Sequence, residues 1–366
     1  MSYEEADEIA DFLGQGLRLL GQAPGSSVCM FADTRSEWML TAQACFKQSF
    51  PLVTLYTNLG EDAVAHGLNE TEADTVFTSH ELLPKFKNIL NFTPHVKKIV
   101  YFENSLRKTD VEGYRADVKL VSFWDIVALG KKNSANNNID MCTEPIPPTP
   151  DSTCIIMYTS GKRDFKLLIQ TVFLNLKGST GAPKGVIITH RNVFKCLNSW
   201  LYQLTSFEVR ESDRWIGYLP LAHILELLAE MMMLVFGVPI GYSSPNTLTD
   251  KSTMIPRGGK GDAGILRPTV MACVPLVLDR IYKGVNETVR KKGEFFENLF
   301  RFCVDYKVAA LNRGERTPIM DRIIFKNVRA LVGGRLRVIF SGGAPLSPES
   351  HQFLRASLGC PLLQVE

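Results

Sequence analysis

Small hydroxylated residues gathered around a lysine are the part of this chain best suited to hold a polyphosphate, and they lie between Asp151 and Asn192. Ile155, Ile156, Met157 and Tyr158 make a short apolar run, long enough for one buried strand. Thr159, Ser160 and Gly161 leave that run. Ser179, Thr180, Gly181, Ala182, Pro183, Lys184 and Gly185 form a second small-residue stretch, Val186 to Thr189 resumes a strand, and His190, Arg191 and Asn192 turn into a helix. Glycine lets backbone N–H groups come close to an anion, hydroxyls add donors, and the lysine adds a mobile positive charge. The spacing is not that of a Walker A loop, because Pro183 stands where a glycine must precede the lysine. The residues alone leave two readings open, a polyphosphate cradle and a polar surface hairpin.

When residues 162–178 are set aside, the flanks join as YTSG-STGAPKGVIITH. This resembles the signature loop of the adenylate-forming ligases, the acyl-CoA synthetases in particular. The resemblance implies that Thr159, Ser160, Gly161, Ser179, Thr180, Gly181, Pro183, Lys184 and Gly185 hold the β- and γ-phosphates of ATP. Residues 162–178 depart from the family pattern. Their Phe165, Leu168, Ile169, Val172 and Leu176 recur at helical spacing. A helix of that length holds its ends ~24 Å apart, against about 3.8 Å for joined neighbours, so the cradle closes only if the segment loops out and returns. The segment is read as a translated intron or a mis-assembled gene.

A chain of 366 residues suggests two or three domains on length alone. Its 45% hydrophobic and 22% charged content is that of an ordinary globular protein. A net charge of +3 gives no electrostatic case for nucleic acid. The eight cysteines form no C-x-x-C pair, which predicts reduced thiols in an intracellular protein and no zinc framework. Met1 to Asp11 is too acidic and polar for a signal peptide. The most apolar stretch, Leu219 to Ile240, carries His223, Glu226, Glu230 and two prolines, so it is read as a buried helix and not a membrane span.

The elements that must position the loop alternate strand and helix. Apolar periodicity predicts helices over Tyr3 to Leu20, up to Phe46 with Asp33 and Thr34 as caps, Gly60 to Glu70 and Leu82 to Leu90. Strands are predicted at Val28 to Phe31, Phe50 to Leu55, Thr75 to Thr78 and Lys98 to Phe102. That alternation predicts an α/β fold, a mostly parallel sheet covered by helices. Lys131 to Pro150 is rich in Asn, Pro and Thr and reads as a surface linker. After the loop, helices are predicted over Asn192 to Ser206, Leu276 to Lys283 and Glu294 to Ala310, and strands at Leu336 to Phe340 and Cys360 to Gln364. Gly258 to Asp262 reads as a glycine turn, since the strand–loop–helix context of a phosphate loop is missing. Met231, Met232 and Met233 read as core or tunnel packing.

Three N-terminal blocks, YEEADEIADFLGQGLRLLG, FADTRSEWMLTAQACFKQSFPLVTLYTNLG and HGLNETEAD, resemble those of eukaryotic long-chain acyl-CoA synthetases. YLPLAHILE, from Tyr218 to Glu226, resembles the block lying between the family's acyl and adenylate sites. It implies a site role for His223 and Glu226, beside the plainer reading of a satisfied core histidine and a structural carboxylate. Ser341, Gly342, Gly343, Ala344 and Pro345 resemble the block that packs on adenine; the plainer reading is a strand-to-helix turn with Ser347 capping the helix.

The resemblance implies the large N-terminal domain of the adenylate-forming fold over residues 1–366. That domain is expected to be incomplete, without the Thr-Glu motif, the ribose-binding aspartate or the small C-terminal domain with its catalytic lysine. It implies a long-chain fatty-acid–CoA ligase using ATP, Mg²⁺ and CoA, on the cytosolic face of the endoplasmic reticulum through an anchor upstream of this start. With its cradle split and later blocks missing, the chain is expected to have little or no activity. The alternatives are a non-catalytic acyl- or nucleotide-binding fragment and an adenylate-forming ligase for another carboxylate.

Overall fold

The computed structural model describes residues 1–104, 106–135, 145–159, 184–203 and 208–365. They fall into two compact units. The first holds the described residues up to Gln203 together with Pro220–Leu228, and the second holds the described residues 208–219 and those from Ala229 onward.

In the first unit the elements run α1 (Tyr3–Leu19), β1 (Val28–Phe31), α2 (Ser36–Lys47), β2 (Leu52–Thr54), α3 (Glu61–Glu70), β3 (Thr75–Ser79), a short α4 (Phe86–Ile89) between two 3₁₀ turns, β4 (Lys98–Phe102), β5 (Lys119–Ser122), α5 (Phe123–Ala135), β6 (Thr153–Thr159), β7 (Lys184–Thr189) and α6 (His190–Gln203). They build a seven-stranded sheet in the order β5-β4-β3-β1-β2-β6-β7. Every neighbouring pair is parallel except β6 and β7. β1 and β3 are buried along their whole length, as strands covered by helices on both faces must be. Phe31, Val53, Val76, Phe86 and Ile99 share one core.

Two of the sequence expectations change here. Asp33 and Thr34 do not cap α2, whose N-cap is Arg35 with no side-chain cap bond. Asp33 Oδ1 accepts from the Thr57 hydroxyl at 2.6 Å, and Thr34 Oγ1 accepts from the Leu221 N–H at 2.9 Å. Their hydroxyl and carboxylate are drawn to tertiary partners instead of to the nearest helix end. The stretch from Lys131 is also not all linker, since α5 continues to Ala135, and residues 136–144 lie outside the described ones. The local signal for α5 was present: Phe123, Ile126, Val127 and Gly130 are its buried face, and the Asp125 N–H donates to Ser122 Oγ at 3.1 Å at its start.

The second unit contains β8 (Trp215–Gly217), most of α7 (Ile224–Phe236), β9 (Ile240–Tyr242), α8 (Asp262–Leu266), β10 (Val270–Cys273), α9 (Pro275–Arg290), α10 (Glu294–Asn312), α11 (Pro318–Ile323), α12 (Lys326–Ala330), β11 (Val338–Gly342), α13 (Pro348–Leu358) and β12 (Leu362–Val365). Its five strands are parallel in the order β12-β11-β10-β8-β9. The apolar stretch at Leu219 to Ile240 resolves into α7 and β9, and among the described residues no helix is long and apolar enough to cross a membrane. Buried Asp213 accepts from Arg337 and from the Arg210 N–H, joining the entry to β8 with the entry to β11. Burial pushes the Asp213 carboxyl up, but those donors outweigh it and hold the group below the usual carboxylate range.

The N-terminal helix is seated by backbone contact. A Cβ on Gly130 would lie 1.9 Å from the Phe12 carbonyl oxygen, and one on Gly16 2.3 Å from that of Ile126. Gly130→Ala therefore forces α1 and α5 apart and is expected to lower the unfolding free energy by about 1–3 kcal/mol, the range of overpacked cores. Urea denaturation checks this.

Candidate functional site

Thr159 and Lys184, the last described residue before the segment containing the insert and the first after it, are register partners across β6 and β7. Partners in an antiparallel pair stand about 4.5–5.5 Å apart at Cα. The two ends of the cradle are therefore side by side, as closure requires. Ser160, Gly161, Ser179, Thr180, Gly181 and Pro183 lie outside the described residues. Lys184 is exposed at the start of β7, which begins two residues earlier than the sequence suggested.

Tyr158 fixes the end of β6. Its ring is 2% exposed, and its hydroxyl donates to the Glu70 carboxylate on α3 and lies 3.4 Å from the Gly67 carbonyl oxygen. Burial raises the hydroxyl pKa, and the Glu70 carboxylate raises it further, so Tyr158 stays protonated and donating. Gly185 stands opposite it. A Cβ on Gly185 would meet Ile156 Cγ2 at 2.9 Å and Tyr158 Cζ at 3.2 Å, and one on Gly67 would lie 3.5 Å from Tyr158 Cε2. Gly185 thus has a packing reason to be glycine whatever its part in the loop. At the far end of β7, Thr189 and Asn192 exchange side-chain-to-backbone bonds of 3.0 and 3.2 Å that start α6, and Arg191 binds Asp151 through two 2.8 Å contacts.

The 220–226 block is fastened to the carboxyl ends of β1 and β2. Thr34 accepts from the Leu221 N–H, and the Thr54 hydroxyl donates to the Ala222 carbonyl at 3.5 Å. His223 then opens α7: its Nδ1 accepts from the Leu225 N–H at 3.2 Å, the work of an N-cap side chain. Accepting at Nδ1 requires the neutral ring with its proton on Nε2, and burial likewise pushes the His223 pKa down. Glu226, one turn on, is wholly buried. These residues lie in the first unit.

Ser341 to Pro345 lie in the second. Ser341 and Gly342 end β11, and Gly343 turns the chain with φ +87°, a conformation that favours glycine. Ser341 is 2% exposed, and its Oγ finds no hydrogen-bond partner among the described residues. Ser347 caps α13 by accepting from the Ser350 N–H at 3.1 Å, as the plainer reading required. In this sheet the strand order reverses between β8 and β10, where open α/β sheets place ligands at the carboxyl ends. Tyr218 follows β8 there and donates to Cys273 Sγ at 3.3 Å. Cys273 is the register partner of Ser341. Tyr218 opens the YLPLAHILE block read in the sequence, whereas Cys273 did not stand out there as more than an apolar strand residue. The seven described cysteines are free thiols.

The neutral, capping His223 has a pH signature. Its folded pKa is lowered, so below about pH 6.5 the unfolded chain binds more protons and stability falls as pH falls. Half-buried His190, its pKa also lowered by partial burial, contributes with the same sign. His223→Asn keeps a capping acceptor without a titrating ring. Thermal unfolding between pH 7.5 and 5.5, taken as roughly spanning that reference value, should show a shallower loss for His223→Asn than for the parent.

The AMP-binding enzyme family matches this chain over residues 1–161 and 178–365. Long chain acyl-CoA synthetase 8 of Arabidopsis thaliana is 36% identical over 372 residues, covering 99% of this chain and 48% of the plant protein. Long-chain-fatty-acid--CoA ligase 2 of Schizosaccharomyces pombe is 34% identical over 368 residues, covering 99% of this chain and 49% of its own. The chain spans about half the length of the curated relatives it matches. Among solved structures, the A domain of a carboxylic acid reductase from Segniliparus rugosus, in complex with AMP and a co-purified carboxylic acid, superposes with a TM-score of 0.73 at 19% identity, over 100% of this chain and 52% of that one. That likeness shows that the chain has the same fold. The chain belongs to the AMP-binding enzyme family.

Proposed function

We propose that this polypeptide derives from a long-chain fatty-acid–CoA ligase. The observation that carries the reading is the similarity to long-chain acyl-CoA synthetases of plants and yeasts at 31–36% identity across nearly the whole chain. In the proposed reaction a fatty carboxylate oxygen attacks the α-phosphorus of ATP and pyrophosphate leaves. The CoA thiol then attacks the acyl carbon of acyl-AMP and AMP leaves. Negative charge grows on the phosphate oxygens in the first step. The ammonium of Lys184, with Thr159, Ser160, Gly161, Ser179, Thr180, Gly181, Pro183 and Gly185 around it, would offset that charge electrostatically. Ser341 to Pro345 would receive the adenine, where the buried, unsatisfied Ser341 Oγ offers a hydrogen bond to a ligand. His223 and Glu226 would border the acyl and adenylate region.

Mg²⁺ would arrive on the ATP phosphates, its usual mode. Among the described residues no group of three or more His, Cys, Asp or Glu side chains gathers to hold it alone. Membrane association at the cytosolic face of the endoplasmic reticulum belongs to the same reading and rests on the family resemblance alone.

The split loop shapes the activity. The β6–β7 ladder keeps Thr159 opposite Lys184, while residues 162–178 separate the donors between them. The 366-residue chain is expected to catalyse palmitate-dependent ATP–pyrophosphate exchange weakly or not at all. Losing one positioned charge-stabilising donor typically costs on the order of 10²–10³ in rate. Deleting residues 162–178 should raise the exchange rate, and Lys184→Ala in that background should lower it again by about that factor. Rapid exchange by the undeleted chain would overturn the impairment. Exchange with short or aromatic carboxylates but not palmitate would overturn the substrate class.

A further inference from the structure

The second unit carries a cavity of about 870 Å³ that none of the blocks above uses. Its walls include Lys260, Arg267, Arg322, Lys326 and Arg329 against two carboxylates, Asp250 and Asp321. Both carboxylates are engaged: Asp250 Oδ1 accepts from the Gly261 N–H at 2.7 Å, and Asp321 pairs with buried Lys307. Lys260, Arg322 and Lys326 have no ion-pair partner among the described residues, although the chain as a whole is nearly neutral. Arg322 lies in the last turn of α11, and Lys326 and Arg329 are three apart on α12, where like charges repel.

Arg267 ends α8 as its C-cap with a left-handed backbone, φ +54°. Gly333, at φ +86°, packs on it: a Cβ there would lie 2.8 Å from Arg267 Cα and 2.4 Å from the Ala263 carbonyl oxygen. The Arg267 Nε–H reaches the Gly333 carbonyl at 3.4 Å. Behind the lining residues Asp321 and Arg329, a Cβ on Gly359 would lie 3.4 Å from Lys307 Nζ, 3.5 Å from Asp321 and 3.7 Å from Arg329 Nε. Lys307 is 2% exposed and also lies over the Phe325 ring at 4.7 Å, so the cluster rests on an ordered base.

We propose that this cavity is an anion site for a phosphate-bearing ligand, with Arg267, Arg322 and Arg329 as guanidinium forks and Lys260 and Lys326 as mobile charges. Guanidinium groups bind phosphate oxygens in pairs, and the excess of positive charge in a concave wall favours a multiply charged anion over a carboxylate. The volume suits a ligand of nucleotide or headgroup size. A soluble phosphate compound and the headgroup of an acidic phospholipid share this chemistry.

The test uses the whole chain. Inorganic phosphate is titrated by calorimetry at low and high salt, and sedimentation is measured with phosphatidylcholine vesicles with and without phosphatidic acid. The expected result is phosphate binding that weakens with salt. Arg322→Glu/Lys326→Glu should weaken it by on the order of tenfold or more, and Lys184→Ala should leave it in place. Lys260→Glu serves as a second variant if the double substitution does not fold. Sedimentation with the acidic vesicles that the charge reversal abolishes assigns the ligand to a lipid headgroup. Phosphate binding without sedimentation assigns it to a soluble phosphate. The proposal is overturned if neither probe binds, if charge reversal leaves binding unchanged, or if Lys184→Ala alone removes it.

Discussion

The antiparallel pairing of β6 with β7 is the constraint on which the candidate site depends. In an otherwise parallel sheet each strand must be left and re-entered through a crossover, so the two ends of a connection lie at opposite ends of the strands. One antiparallel neighbour changes that. The chain leaves at Thr159 and returns at Lys184 at the same end of the sheet. The ladder holds these ends together whatever the length of chain between them, because loop-closure entropy grows only with the logarithm of that length. Tyr158 secures the end of the ladder through Glu70, and glycines at 67 and 185 make room for its ring. The ladder therefore sets where the chain leaves and re-enters the sheet, independently of the length between Thr159 and Lys184.

The other candidate residues obey the same geometry at other strand ends. The 220–226 block is tied by Thr34 and Thr54 to the carboxyl ends of β1 and β2, and the 341–345 block is itself the carboxyl end of β11. Polar groups at these ends are used to fix backbone, and few are left over. Ser341 is an exception: its Oγ is buried and unsatisfied among the described residues, an arrangement that costs free energy unless a ligand or solvent completes it. His223 shows the opposite case, a ring whose acceptor nitrogen is already occupied by a backbone N–H. Its observed work is to start a helix, and any part in chemistry falls to Nε2.

Charge is distributed in a way that the total conceals. A net +3 arises from nearly balanced populations, yet five cations line one cavity while Asp213 is sunk in the interior against Arg337. The buried pair bonds two strand entries; Lys260, Arg322 and Lys326 at the cavity have no ion-pair partner among the described residues. Sequence composition cannot separate the two situations, because both depend on which side chains the fold brings face to face.

What the sequence by itself determined is the α/β alternation, most strand positions to within a residue or two, and the family, since these follow from local apolar periodicity and from a long signature that survives interruption. Val28 to Phe31 and Lys98 to Phe102 coincide with the observed strands. Ser347 was legible as a cap because the capping bond spans three residues. Only the tertiary structure decided that Thr159 and Lys184 face each other, that Asp33 and Thr34 serve Thr57 and Leu221 and not α2, and that Gly16 and Gly130 let two helices touch. Those facts join residues far apart in the chain. Local pattern states which face of an element is buried, but which distant partner lies against it is settled by the packing of the whole sheet.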